Sequence, residues 1–82
     1  MTTTLLPVVL WTQKGCGPCV TAPAALKRHG IPHVTIDVKH ADSARIANWR
    51  KQGLSTPIVE ASGRSYSGMD MDALASLAVD YA

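Results

Sequence analysis

The chain predicts an α/β fold, a four-stranded mixed sheet flanked by three helices in the order β-α-β-α-β-β-α. Three observations point to it. The hydrophobic period alternates between strand-like and helix-like segments, those segments stop at glycine or proline, and the only two cysteines, Cys16 and Cys19, fall where the first strand gives way to the first helix. With 82 residues there is length for one domain, 1–82, and one core.

Residues 8–11, Val-Val-Leu-Trp, are a continuous β-prone run, as expected of a central strand buried on both faces, with Pro7 at its entrance. From 17 to 29 the pattern turns helical, and Gly30 with Pro32 stops it. Pro18 suits the first helical turn, where its missing N–H costs nothing. Pro23 falls inside the helix, removes the bond to the Cys19 carbonyl and predicts a kink one turn beyond the cysteines.

Residues 33–38 alternate, with Val34, Ile36 and Val38 on one face and His33, Thr35 and Asp37 on the other, which predicts a second strand. Strand, helix and strand in that order imply a right-handed crossover and parallel pairing. Asp42 or Ser43 caps a second helix that runs to Gln52, turns Ile46 and Trp49 inward and stops at Gly53. Residues 57–61, the turn Ser62-Gly63 and residues 64–67 read as a hairpin. Asp70 is the N-cap of a last helix on which Met71, Leu74, Leu77, Ala78 and Tyr81 follow helical spacing. Phenylalanine is absent, so the core is expected to be mostly aliphatic, with Trp11 as packing and Trp49 in the core or at its rim.

Cys16-Gly17-Pro18-Cys19 carries the chemistry. A thiolate, not a thiol, attacks a disulfide, and unpaired N–H groups at a helix start hold a nearby cysteine below the ordinary thiol range. Cys16 is therefore the expected nucleophile. Cys19, one turn into the helix and more shielded, is the resolving thiol. Lys14 has two readings, a charge that lowers the Cys16 thiol further or draws in a carboxylate, and an ordinary exposed loop lysine.

Such a pair has other uses. Half of a zinc site is one, because His29 and His33 supply an H-x3-H spacing, although Gly30, Ile31 and Pro32 break the helical face such a site needs. A metal or iron-sulfur module assembled across a dimer is another, but two thiols per chain do not complete a site. A structural disulfide over so short a loop stabilises little.

Eight basic and six acidic residues give a net charge of +2, spread along the chain. Such dispersed charge predicts no nucleic-acid or membrane partner. The first residues lack a basic segment before their apolar stretch, so no leader is expected and a cytoplasmic site of action is. In a reducing compartment a lone cysteine pair is more often catalytic than structural.

The element order and the CGPC motif, joined to Thr56-Pro57 at the start of the third strand, resemble the thioredoxin fold over the whole chain. The resemblance implies a cis Thr56-Pro57 peptide beside the cysteines. Thioredoxins proper are longer and carry Trp before the first cysteine and a buried Asp upstream; here Gly15 and Leu10 stand in those places. In size and topology the chain is similar to glutaredoxins, and within them to the NrdH family. That family carries Trp-Ser-Gly-Phe-Arg-Pro where this chain has Tyr66-Ser67-Gly68-Met69-Asp70-Met71, so Ser67 and Gly68 match, Tyr66 is conservative, and the last three depart.

The NrdH resemblance implies a monomeric dithiol electron donor with no bound cofactor beyond the redox-active Cys16-Cys19 pair. Its reductase would be thioredoxin reductase and its acceptor ribonucleotide reductase or another disulfide-containing protein. It also implies that Thr56, Pro57, Tyr66, Ser67 and Gly68 meet the substrate, with the Thr56 backbone pairing to an extended strand. The alternative is a glutathione-dependent glutaredoxin, a role in which Gly68 and Asp70 would imitate that family's Gly-Gly-acidic turn. Gly17-Pro18 favours the thioredoxin-like option, since glutaredoxins prefer Pro-Tyr between the cysteines.

Overall fold

The computed structural model describes residues 8–61 and 63–80. The roles assigned above to Pro7, Ser62 and Tyr81 lie outside the described residues. Eight elements follow in order: β1 (Val8–Thr12), α1 (Pro18–Arg28), β2 (His33–Asp37), a 3-10 turn (Val38–His40), α2 (Ser43–Gln52), β3 (Ile58–Ala61), β4 (Arg64–Ser67) and α3 (Met71–Asp80). The sheet order is β2-β1-β3-β4. β1 runs parallel to β2, from Val8 opposite His33 to Thr12 opposite Asp37, and antiparallel to β3, with Leu10 opposite Val59. β3 and β4 form the expected hairpin, closing from Ile58 opposite Ser67 to Ala61 opposite Arg64.

The period-2 geometry of β1 divides its side chains between two cores. Val8 and Leu10, with Val59 and Ala61 of β3, pack under Ala22 and Leu26 of α1 and Leu74 and Leu77 of α3. On the opposite face Trp11 and Ile58 meet Trp49 of α2, flanked by half-buried Val9, Ile36, Val38 and Ile46. Leu10, Leu26, Ile58, Leu74, Val8 and Val59 are fully buried, and each such side chain contributes roughly 1.5–3 kcal/mol of transfer free energy. The first core is aliphatic as expected. The second rests on a tryptophan pair with ring centroids 5.4 Å apart and planes tilted by 59°, and the Trp49 Nε1–H donates to Ser65 Oγ at 2.9 Å.

Both strand-connecting helices end as their glycines require. Gly30, at φ +70, follows α1, its N–H bonded to the Lys27 carbonyl and that of Ile31 to the Leu26 carbonyl. This paired closure satisfies carbonyls the helix end would strand. Asp42 caps α2 by accepting from the Arg45 N–H at 3.0 Å, and Asp70 caps α3 by accepting from the Ala73 N–H at the same distance. α1 continues through Pro23 as one element, with Pro18 in its first turn.

Four sequence expectations are corrected. β2 stops at Asp37, because the Asp37 carboxylate accepts from the Lys39 N–H at 2.9 Å and draws Val38–His40 into a 3-10 turn. Val34, placed on the apolar face, is 48% exposed. β2 is an edge strand, and α2 buries its Ile36 end but leaves Val34 uncovered. Met71 is 49% exposed; it lies in the first turn of α3, which Asp70 anchors by capping rather than by core contact. Pro57 precedes β3, which starts at Ile58, as suits a residue with no N–H for the ladder.

Candidate active site

The parallel pairing of β1 with β2 ends at Thr12 and Asp37, and the chain leaves the sheet there into a tight turn. The Cys16 N–H donates to the Gln13 carbonyl at 3.2 Å, which closes residues 13–16. Gly15, the third residue of that turn, has φ +78. A Cβ there would meet nothing within 4 Å, so conformation rather than space calls for glycine. Any L side chain, a tryptophan included, would be strained at this φ.

Cys16 emerges half-buried, Gly17 and Pro18 are exposed, and Cys19 is only 7% exposed. Cys16 and Cys19 are joined as a disulfide, with Cα atoms 5.3 Å apart. Within the first turn of α1 the donors are already divided. Pro18 has none, the Val20 N–H is bonded to the Gly17 carbonyl, and the Cys19 N–H donates to Cys16 Sγ at 3.2 Å. The helix start therefore presents one N–H to the outer sulfur and shields the inner one.

The second wall is the segment before β3. The Thr56-Pro57 peptide is cis, as the resemblance implied. Cys16 Sγ lies 3.6 Å from the Thr56 carbonyl oxygen, across 40 residues of sequence. Thr56 Oγ1 is 3.2 Å from Gln13 Oε1 and donates to it, which ties this wall to the turn that carries the cysteine. Gln13 was not singled out from the sequence, where a polar residue after a strand carries no signal of a cross-chain partner.

Behind Pro57 sits Gly68, whose N–H donates to the Pro57 carbonyl at 2.8 Å. Tyr66 pairs with Val59 and packs its half-buried side chain against the aliphatic core. Ser67 Oγ accepts from the Met69 N–H at 3.2 Å. Lys14 is exposed and, with Thr12, Thr35, Asp37 and both cysteines, borders a hollow of about 370 Å³ beside the disulfide. Lys14, Cys16, Cys19, Thr56 and, through Pro57, Gly68 thus share one end of the sheet.

Leu10, which occupies the place of the thioredoxin aspartate, is fully buried, and among the described residues no charged or polar side chain is buried. Among the described residues no three His, Cys, Asp or Glu side chains cluster as a metal site, and His33 is engaged with the Ile31 carbonyl at 3.1 Å. No helix of the described residues is long and apolar enough to cross a membrane.

The glutaredoxin family model matches residues 8–65, which run from the start of β1 into β4 and include the cysteine pair and Thr56-Pro57. Among solved structures the chain is similar to the thioredoxin-like protein BC3987, with 30% identity and a TM-score of 0.63 over 85% of this chain and 97% of that one. A threonine-to-alanine variant of the same protein gives 28% identity and the same TM-score over 85% and 96%. No curated protein matches significantly. With a family match spanning more than half of its length and a Cys16-Cys19 pair at the start of α1, the chain belongs to the glutaredoxin family and is a thiol-disulfide oxidoreductase.

Proposed function

We propose that the protein is a dithiol electron donor of the NrdH type, reducing protein disulfides and itself restored by thioredoxin reductase. The supporting observation is the position of Cys16 Sγ, 3.6 Å from the Thr56 carbonyl at an open end of the sheet. A substrate segment that pairs with the Thr56 backbone would bring its disulfide against that sulfur.

In the forward reaction the Cys16 thiolate attacks one sulfur of the substrate disulfide. A Cys16-substrate disulfide forms, and the other substrate sulfur leaves as a thiolate and takes a proton. The Cys19 thiolate then attacks Cys16 Sγ, expelling the second substrate thiol and closing the Cys16-Cys19 disulfide. Two electrons pass to the substrate. Thioredoxin reductase returns them from NADPH, and the cycle suits a reducing, cytoplasmic compartment in which the protein works as a monomer. By this reading a ribonucleotide reductase that resets an internal disulfide after each turnover is the acceptor.

Gly17-Pro18 between the cysteines supports thioredoxin reductase over glutathione as the source of electrons. The test compares NADPH consumption with thioredoxin reductase and, separately, with glutathione plus glutathione reductase, using one protein disulfide as acceptor. Turnover with thioredoxin reductase is expected. Turnover only in the glutathione assay would replace this reading with a glutathione-dependent one.

A further inference from the structure

Beside Thr56, on the α2 side of the sheet, lies an open groove of about 630 Å³. Its volume falls within the roughly 300–1,000 Å³ of clefts that accept ligands. The floor is apolar and belongs to the tryptophan core, with Ile46, Leu54 and Ile58 among its residues. The rim is basic. Lys14, Lys39 and Arg50 border it, all exposed, and none takes part in an ion pair among the described residues. The one acid at the rim, Asp37, uses a carboxylate oxygen to hold the Lys39 N–H. An apolar floor with three unpaired cations around it fits neither a basic nor a wholly polar occupant.

We propose that this groove is a specificity subsite for an extended segment of the substrate protein that carries an apolar side chain and an adjacent acidic residue beside the attacked cysteine. The proposal deepens the function above and rests on its use of Thr56 as the substrate edge. Groove and nucleophile share that edge, since Thr56 lines the groove and its carbonyl faces Cys16 Sγ. A chain paired there and extending past Cys16 toward α2 lays its next side chains over Ile46 and Leu54. A carboxylate on the same segment then falls among Lys14, Lys39 and Arg50. Exposed rim charges of this kind act mainly on encounter rate and choice of partner, and salt screens them.

The experiment uses two synthetic peptides, each with one disulfide and a leucine next to a cysteine, differing only in whether glutamate or lysine flanks that leucine. The wild-type protein, kept reduced by thioredoxin reductase and NADPH, is expected to favour the acidic peptide in kcat/KM by about tenfold at low ionic strength, with the preference shrinking at about 0.5 M salt. The double charge reversal Lys39→Glu with Arg50→Glu is expected to invert the ratio. The single variants Lys39→Gln and Arg50→Gln, which disturb folding less, are each expected to reduce it by about twofold to threefold. Equal turnover of the two peptides by the wild type, or a ratio that the reversal leaves unchanged, would overturn the subsite while leaving the dithiol donor intact. Reduction of neither peptide would overturn the donor reading and the subsite with it. A marked preference for a glutathione mixed disulfide over the acidic peptide would assign the cations to a small thiol instead and would likewise overturn the proposal.

Discussion

Gly68 is pressed against Pro57. Its N–H donates to the Pro57 carbonyl at 2.8 Å, and a Cβ built at position 68 would stand 2.8 Å from Pro57 Cγ and 3.1 Å from the Pro57 oxygen. Real side chains do not tolerate the shorter of these contacts, and a proline ring has little room to yield. Because Thr56 precedes Pro57 and its carbonyl faces Cys16, whatever moves Pro57 moves the substrate edge of the site.

Gly68→Ala therefore combines a stability defect with an activity defect. Overpacking of this kind costs about 1–3 kcal/mol, and displacement of the Thr56 carbonyl is expected to lower kcat/KM on a protein disulfide by about tenfold. Thermal unfolding and disulfide reduction measured on the same preparation check the two effects. Retention of both at wild-type level would show that Gly68 does not position Pro57.

Gly15→Ala has the opposite profile. The position demands a left-handed backbone at φ +78 but leaves open space for a side chain. The cost is then conformational, about 1–2 kcal/mol, without a clash at the sulfurs. Unfolding midpoints are expected to fall while the folded protein keeps its dithiol activity. Gly15→Trp, which would restore the thioredoxin residue, is expected to be no more stable than Gly15→Ala, and a clear gain in stability would contradict the turn's conformational demand.

The order and pairing of the elements were legible because their boundaries are written in local chemistry. Asp42 and Asp70 are caps wherever a helix follows, and Gly30 and Gly53 close helices by adopting a conformation other residues avoid. Cys16 and Cys19 were legible for the same reason, as sulfur at the junction of a strand and a helix. What local patterns do not carry is the distance a helix covers. Val34 alternates correctly with Ile36, yet α2 reaches only one of them. Contacts across the chain were hidden as well. Gln13 finds Thr56 over 43 residues, and Gly68, noted by resemblance as a substrate residue, proves to be packed behind Pro57. Tyr66 followed the same motif, but its strand parity turns it toward the aliphatic core.

The difference in shielding between the two cysteines gives the next outcome. Cys16 is half-buried at the sheet end, whereas Cys19 is 7% exposed. Cys19→Ser is expected to accumulate a mixed disulfide between Cys16 and a protein substrate, visible by mass spectrometry and released by a small thiol. Cys16→Ser is expected to accumulate none, with reduction lowered at least about a hundredfold, since the buried sulfur does not reach substrate. The reverse pattern would exchange the two roles.

The last outcome concerns charge on Cys16. Its Sγ receives the Cys19 N–H at 3.2 Å and sits at the start of α1. Both features are of the kind that favours a thiolate once the pair is reduced. Alkylation of the reduced protein is therefore expected to rise with pH around a midpoint below that of a free cysteine, about 8.5. Stability follows with a defined sign. A group depressed in the folded state stabilises the fold fully above its unfolded value and loses that contribution as pH falls through its folded value. The reduced protein is accordingly expected to gain stability relative to reduced Cys16→Ser as pH rises toward the free-cysteine value of about 8.5. A midpoint at or above that of free cysteine, with a flat stability difference, would mean that the helix start does not activate this sulfur.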